Sequence, residues 1–306
     1  VKMKRFWIGL SIFLSVLILS SCNTQSSYDI VTSDYVLYDL VSHIVEDDLS
    51  IHVLTPPNTN YHHFEPTSND LITIKNAKSF LFLGYDYNPW LKDLNTLKTY
   101  LNKDAIYLDV STLVEEDLDH DDENHHEHHH GLHYWVDPNI VIEILDDILE
   151  VIIPLKPEYA TIFETRKEAY QDEIAQLIEQ FELELEHIEN RTIYYIGHYS
   201  HQAFEKRFGL EIKPLNESIT PGSVPTSHDI SSFIKALNDN QVKTIFYEEG
   251  TNPIIIDVVK NQTEVIQAFE LHGYHQLSKT DFDNQVSYKD LFERNITHIL
   301  EVLEDV

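Results

Sequence analysis

From Tyr28 onward, short apolar runs alternate with segments whose apolar positions recur every three or four residues. The short runs predict strands over residues 29–32, 51–54, 79–83 and 105–110. The periodic segments predict helices over 35–45, 69–77, 89–101 and 138–153. Such βαβα order is the pattern of a mostly parallel sheet covered by helices. Between Glu158 and Ile196 there is neither Gly nor Pro. Phe163, Tyr170, Ile174, Leu177, Phe181, Leu185 and Ile188 mark one face of a long helix there. About 30 residues at 1.5 Å each give a rod of about 45 Å. Its stripe is irregular and aromatic, which favours packing along its own lobes over a coiled-coil arm.

The alternation then resumes, with strands expected at 192–196, 211–213, 243–247 and 265–271. Helices are expected at 201–207, 227–238, 254–261 and 288–303. The fold class is therefore α/β, with two lobes, each holding a mostly parallel four-stranded sheet flanked by helices. Residues 28–154 form the first lobe, including an acidic His-rich loop at 115–130. Residues 155–190 form the linking helix and residues 191–306 the second lobe.

The first 22 residues read as a secretory signal. Lys2, Lys4 and Arg5 precede an uncharged apolar run from Phe6 to Leu19, which is short for a membrane span. Leu19-Ser20-Ser21-Cys22 looks like a bacterial lipobox, which makes Cys22 a lipidation site and residues 23–27 a tether. Cys22 is the only cysteine, so no internal disulfide is available. The net charge of −31 argues against a nucleic-acid partner, since phosphate binding needs basic patches.

The candidate chemistry lies in the histidines. Residues 115–138 hold seven of them among many carboxylates. Neutral imidazole is the commonest ligand for borderline-soft metals. His126-Glu127-His128-His129-His130 satisfies HExxH, but its acidic, low-complexity surroundings do not support the amphipathic helix that a metalloprotease needs. Apart from the histidines of residues 115–130, His62, His133, His201 and His275 all fall beyond the carboxyl ends of predicted strands, where open α/β sheets bind ligands. Two facing lobes would bring them into one cleft, and four such donors suit tetrahedral zinc. His63 competes with His62, His198 with His201, and His272 with His275. Glu248 or Glu249 is an alternative fourth ligand.

The segments HHFEPTSND (62–70), HYWVDP (133–138), HQAFEKRFGL (201–210), TPGSVPTSHDI (220–230) and LHGYHQLS (271–278) resemble, in this order, those of the ZnuA/AdcA-type zinc-binding lipoproteins that feed ABC importers. The resemblance runs from the lipobox to the C-terminal helix. It implies two α/β lobes joined by a rigid helix, with a metal site in the cleft between them. It also implies His62, His133 and His201 as ligands. The fourth place varies in the family, and a carboxylate position there is occupied by His275 here.

The implied function is an extracytoplasmic Zn2+ receptor, lipid-anchored through Cys22 to the outer face of a bacterial membrane. It would deliver zinc to an ABC permease, as a monomer and without catalysis. Glu65 and Asp137 are the expected orienting residues behind the ligands. His120, His125, His126, His128, His129 and His130 read as a low-affinity zinc collector, matching the His-rich insertion of zinc-type members. A manganese or iron receptor of the same fold is the alternative, and an extracellular zinc hydrolase a more distant one. The resemblance leaves room for an adhesion role beside transport.

Overall fold

The computed structural model describes residues 27–113, 133–218 and 223–304. The signal segment, Cys22 and the histidines from His120 to His130 lie outside the described residues. Among the described residues no helix is long and apolar enough to cross a membrane.

The first sheet consists of β1 (Ile30–Thr32), β2 (Ile51–Val53), β3 (Ser79–Phe82) and β4 (Ile106–Asp109), all parallel in the order β2-β1-β3-β4. The two inner strands, Ile-Val-Thr and Ser-Phe-Leu-Phe, are buried throughout. That is the expected composition of parallel strands covered on both faces. The helices between them are α1 (Tyr35–Val45), α2 (Ser68–Asn76) and α3 (Leu94–Tyr100). Each starts on a side-chain cap: Asp34 on the Leu37 amide, Thr67 on Asp70, and Asp93 on Thr96. The Asp93 cap explains why α3 begins later than the periodicity from Pro89 suggests.

After the undescribed 114–132 segment, α4 (Pro138–Ile152) begins on Asp137, with proline in its first turn. The linking helix α5 (Ala160–Leu185) is 26 residues long, about 39 Å. It buries Phe163, Lys167, Tyr170, Ile174, Ile178, Phe181 and Leu185, one stripe at spacings of three and four. The upper half of this stripe meets the first lobe, and Phe181 packs on Phe204 and Phe208 of the second.

The second sheet repeats the first. It contains β5 (Thr192–Ile196), β6 (Glu211–Pro214), β7 (Thr244–Tyr247) and β8 (Gln267–Glu270), parallel in the order β6-β5-β7-β8. Its helices are α6 (Gln202–Phe208), α7 (Ser227–Asp239), α8 (Pro253–Gln262), a short α9 (Lys279–Asp283) and α10 (Tyr288–Glu304).

The two lobes share one apolar core. A single cluster runs from Ile30 and Leu81 through Trp135 and α5 to Tyr195, Phe246 and Phe292. Separate clusters cover the outer faces, around Phe80 and Phe82 in one lobe and Phe233 and Ile245 in the other.

The segment between β8 and α10 is strapped to the first lobe. Asn58 N donates to Leu277 O (2.8 Å), Tyr61 N to His275 O (3.2 Å) and Trp135 Nε1 to Gly273 O (3.2 Å). Tyr288 Oη donates to Trp135 O (2.8 Å), and Tyr35 Oη bonds Val286 O. Deeper in the seam the buried Asp39 Oδ2 accepts from Tyr170 Oη (2.8 Å) and Tyr288 N (2.9 Å), joining α1, α5 and α10.

Candidate metal centre

His62 sits in a one-turn 3-10 helix (Tyr61–His63) after β2, fixed by its backbone N–H, which donates a hydrogen bond to Asn60 Oδ1 (2.9 Å). His133 immediately precedes a second such turn (Tyr134–Val136) leading into α4. His198 follows Gly197 directly after β5, and His275 lies on the strap after β8. The structure brings these four imidazoles together. Each offers one nitrogen, and the four atoms lie within 4.8 Å of one another. His62 Nε2 is 3.2 Å from His133 Nε2, which is 3.4 Å from His198 Nε2. Zinc–nitrogen bonds of about 2.0–2.1 Å in a tetrahedron set neighbouring nitrogens about 3.3–3.4 Å apart. These two edges are close to that value, and the whole group lies within 4.8 Å. His275 Nε2 is buried without a hydrogen-bond partner, as is His133 Nδ1. A buried, unbonded imidazole nitrogen is costly unless something polar reaches it.

His201, the third ligand implied by the resemblance, is not in this group. It opens α6, three residues beyond His198. Its ring lies edge-on to Tyr195 (5.0 Å) and its Nδ1 is 3.1 Å from Ser200 Oγ. The strand's carboxyl end projects the first histidine it meets into the cleft, and the helix start turns the second back into the lobe. His272 is likewise turned inward: its Nδ1 accepts from Tyr274 N (3.0 Å). His63 is exposed.

Glu248 and Glu249 follow β7 and stand behind the cage. Glu248 Oε2 accepts from His198 N (3.1 Å), and its Oε1 lies 2.8 Å from His198 Nδ1, close but oblique for a formed hydrogen bond. Glu249 Oε1 accepts from His275 N (2.6 Å) and lies 2.9 Å from His275 Nδ1, while Oε2 accepts from Gly273 N (2.8 Å). Two glycines make this arrangement fit. Gly250 turns the chain after the two carboxylates at φ +75°, and a Cβ there would lie 1.8 Å from Gln276 Nε2. A Cβ on Gly273 would lie 2.3 Å from His275 Cε1.

The two expected orienting residues lie elsewhere. Glu65 is exposed, and Asp137 accepts from Arg207 Nε (3.0 Å) and Asn139 N (3.0 Å), tying α4 to α6. The carboxylates aligned with ligand rings are instead Glu248 and Glu249. The signal for this was their place beyond β7, opposite the histidines beyond β5 and β8.

Burial sets the charge state of the cage. It pushes His62 down to about 2, helped by repulsion from His275 and His198. Burial also holds His133 well below the ordinary imidazole value, with the same neighbours adding to it. For His275, burial opposes the charged form, but Glu249 and then Glu248 outweigh it and raise the value. Burial acts to raise Glu249, yet His272, His275 and the Gly273 amide hold it below the usual carboxylate range. Away from the cage, burial lowers His201 to about 3.

A family model described as ZnuA, zinc-uptake complex component A periplasmic, matches residues 30–302. The chain belongs to the ZnuA family. Members are metal-binding solute-binding proteins, not enzymes. The chain is 22% identical to the high-affinity zinc uptake system protein ZnuA of Bacillus subtilis, over 98% of this chain and 99% of that one. It is 26% identical to the manganese-binding lipoprotein MntA of Halalkalibacterium halodurans, over 96% and 97%. The Zn(II)-bound ZnuA-like domain of Streptococcus pneumoniae AdcA superposes with a TM-score of 0.73 at 17% identity, over 91% of this chain and 100% of the domain. Against the whole AdcA lipoprotein of that species the chain spans 58% of the length.

Proposed function

We propose that this ZnuA-family receptor captures Zn2+ outside the cytoplasm and delivers it to an ABC permease, with His62, His133, His198 and His275 as ligands. The observation that carries the reading is a cage of four imidazole nitrogens, with no carboxylate oxygen in the donor set among the described residues. Manganese prefers carboxylate oxygens, whereas imidazole suits zinc. The two nitrogen edges that His133 makes with His62 and His198, 3.2 and 3.4 Å, suit the same metal.

Binding involves no covalent chemistry. His62 and His133 are held neutral by burial and meet the ion with free lone pairs. The shared core and the strap between the lobes support limited movement on capture and release. Lipid on Cys22 would keep the receptor at the membrane face, near the permease. The His-rich 115–130 segment would raise the local zinc concentration.

The test is anaerobic metal titration of a soluble form lacking residues 1–22. One tight Zn2+ per chain is expected, lost on alanine substitution of His62, His133, His198 or His275. Tighter binding of Mn2+ than Zn2+, or tight zinc binding that survives loss of both His62 and His133, would overturn the reading. Deleting residues 115–130 is expected to remove weak additional zinc binding and keep the tight site.

A further inference from the structure

Adjacent carboxylates each take the backbone amide of one second-lobe histidine and face its ring Nδ1, with the ring hydrogen bond formed at His275 and only a close approach at His198. Glu248 takes the backbone amide of His198 on one oxygen and faces its ring Nδ1 with the other. Glu249 takes the amide of His275 and faces its Nδ1. His62 and His133 have no such partner among the described contacts, and His133 Nδ1 is unbonded. Both carboxylates are shielded from solvent, with side-chain exposures of 14% and 4%.

Four neutral imidazoles contribute no negative charge to a dication. An ion of charge +2 in a buried cage is stable only if opposite charge lies close by. The two carboxylates supply a charge of −2, one imidazole width away from the ion. We propose that Glu248 and Glu249 are the positioning residues of this site. They fix the tautomer and ring angle of His198 and His275, and together they match the cage to a divalent rather than a monovalent cation. The proposal rests on the zinc-receptor reading above.

A backbone clamp alone would serve any cation equally. The charge role predicts a difference between Zn2+ and Cu+, two ions that both accept imidazole nitrogen. The experiment compares wild type, E248Q, E249Q, E248D and E249D in the soluble form at pH 8, by competition with chromophoric chelators for each ion, under anaerobic conditions. Glutamine keeps a hydrogen-bond acceptor and removes the charge. Each glutamine variant is expected to lose about 10–100-fold in Zn2+ affinity, the usual cost of removing a ligand's outer partner. Its Cu+ affinity should fall several-fold less, and the aspartate variants should recover part of the Zn2+ loss. X-ray absorption of the zinc-loaded wild type should show four nitrogen neighbours.

Equal losses for Zn2+ and Cu+, or Zn2+ affinity kept within threefold in both glutamine variants, would overturn the proposal and leave the receptor reading intact. An oxygen neighbour present in wild type and lost in a glutamine variant would make that glutamate a ligand, which also overturns it. A wild type that binds no zinc would overturn the receptor reading itself. Glu249 supports three contacts on the strap, so its glutamine variant is checked for folding by circular dichroism. E248Q carries the test if that variant unfolds.

Discussion

The cage holds its histidines in different protonation states, and this fixes how zinc binding responds to pH. Zinc displaces whatever proton a ligand carries. His62 and His133, both shifted down by burial, carry none between pH 5.5 and 7.5. His275 is shifted up, because Glu249 and Glu248 outweigh its burial. Its proton must leave when the ion binds, so affinity rises with pH up to the raised value and flattens above it. One proton is worth about tenfold per pH unit, or about 1.4 kcal/mol. Across two units this amounts to at most about 100-fold.

The E249Q variant isolates that proton. Without that carboxylate the largest influence opposing burial is gone and only Glu248 still favours the charged ring, so His275 holds its proton less firmly. Zinc affinity measured against a chromophoric chelator from pH 5.5 to 7.5 should therefore rise more steeply in wild type than in E249Q. The difference in slope is bounded by one logarithmic unit per pH unit, the worth of a single proton. The two curves converge on the acid side, where the proton competes most strongly in wild type. Calorimetry at pH 7 in two buffers of different ionisation enthalpy should show fewer protons released by E249Q than by wild type. Parallel pH curves with equal proton release would refute the assignment of a raised proton to His275.

Three further outcomes follow from the same geometry. H198A should lose more zinc affinity than the 10–100-fold typical of an outer partner, while H201A stays within about threefold in the same titration; the reverse order would return the ligand to position 201. D39A leaves the Tyr170 hydroxyl and the Tyr288 amide without an acceptor, each costing about 1–3 kcal/mol, so urea unfolding should show a loss of about 2–6 kcal/mol. D39N keeps an acceptor and removes a carboxylate whose ionisation burial already opposes, so its loss should be clearly smaller; equal losses would mean the joint depends on the charge.

The architecture was legible because parallel strands buried on both faces announce themselves as apolar runs. Each predicted strand overlaps an observed one, and the long helix was visible in its stripe of aromatic and aliphatic residues. Short α9 was not, since five residues capped by Ser278 carry too little periodicity. At the site, His62, His133, His201 and His275 stood out by their place beyond strand ends, with His63, His198 and His272 as competitors, and the structure brings three of the four together. The choice between His198 and His201 could not be made that way. It depends on where β5 stops and α6 starts, a shift of three residues that turns a ring from the cleft into the lobe. The resemblance pointed to the histidine before Ala-Phe, and the backbone presents the earlier one. Glu248 and Glu249 were noticed as oxygen donors. Their role behind the rings required distances.

The strap has one consequence for how cargo can leave. His275 is bonded through its carbonyl to Tyr61 of one lobe and through its amide to Glu249 of the other. The ties at Asn58, Trp135 and Tyr35 run along the same seam. The cage is thus stitched into the joint and does not lie across an open mouth, so prising the lobes apart would tear the stitches before it widened the cage. His133, His198 and His275 are buried, and only His62 is partly open to solvent. Of the four rings, His62 is the one that solvent reaches, so a swing of that ring would open the cage like a keyhole and leave the frame around it closed.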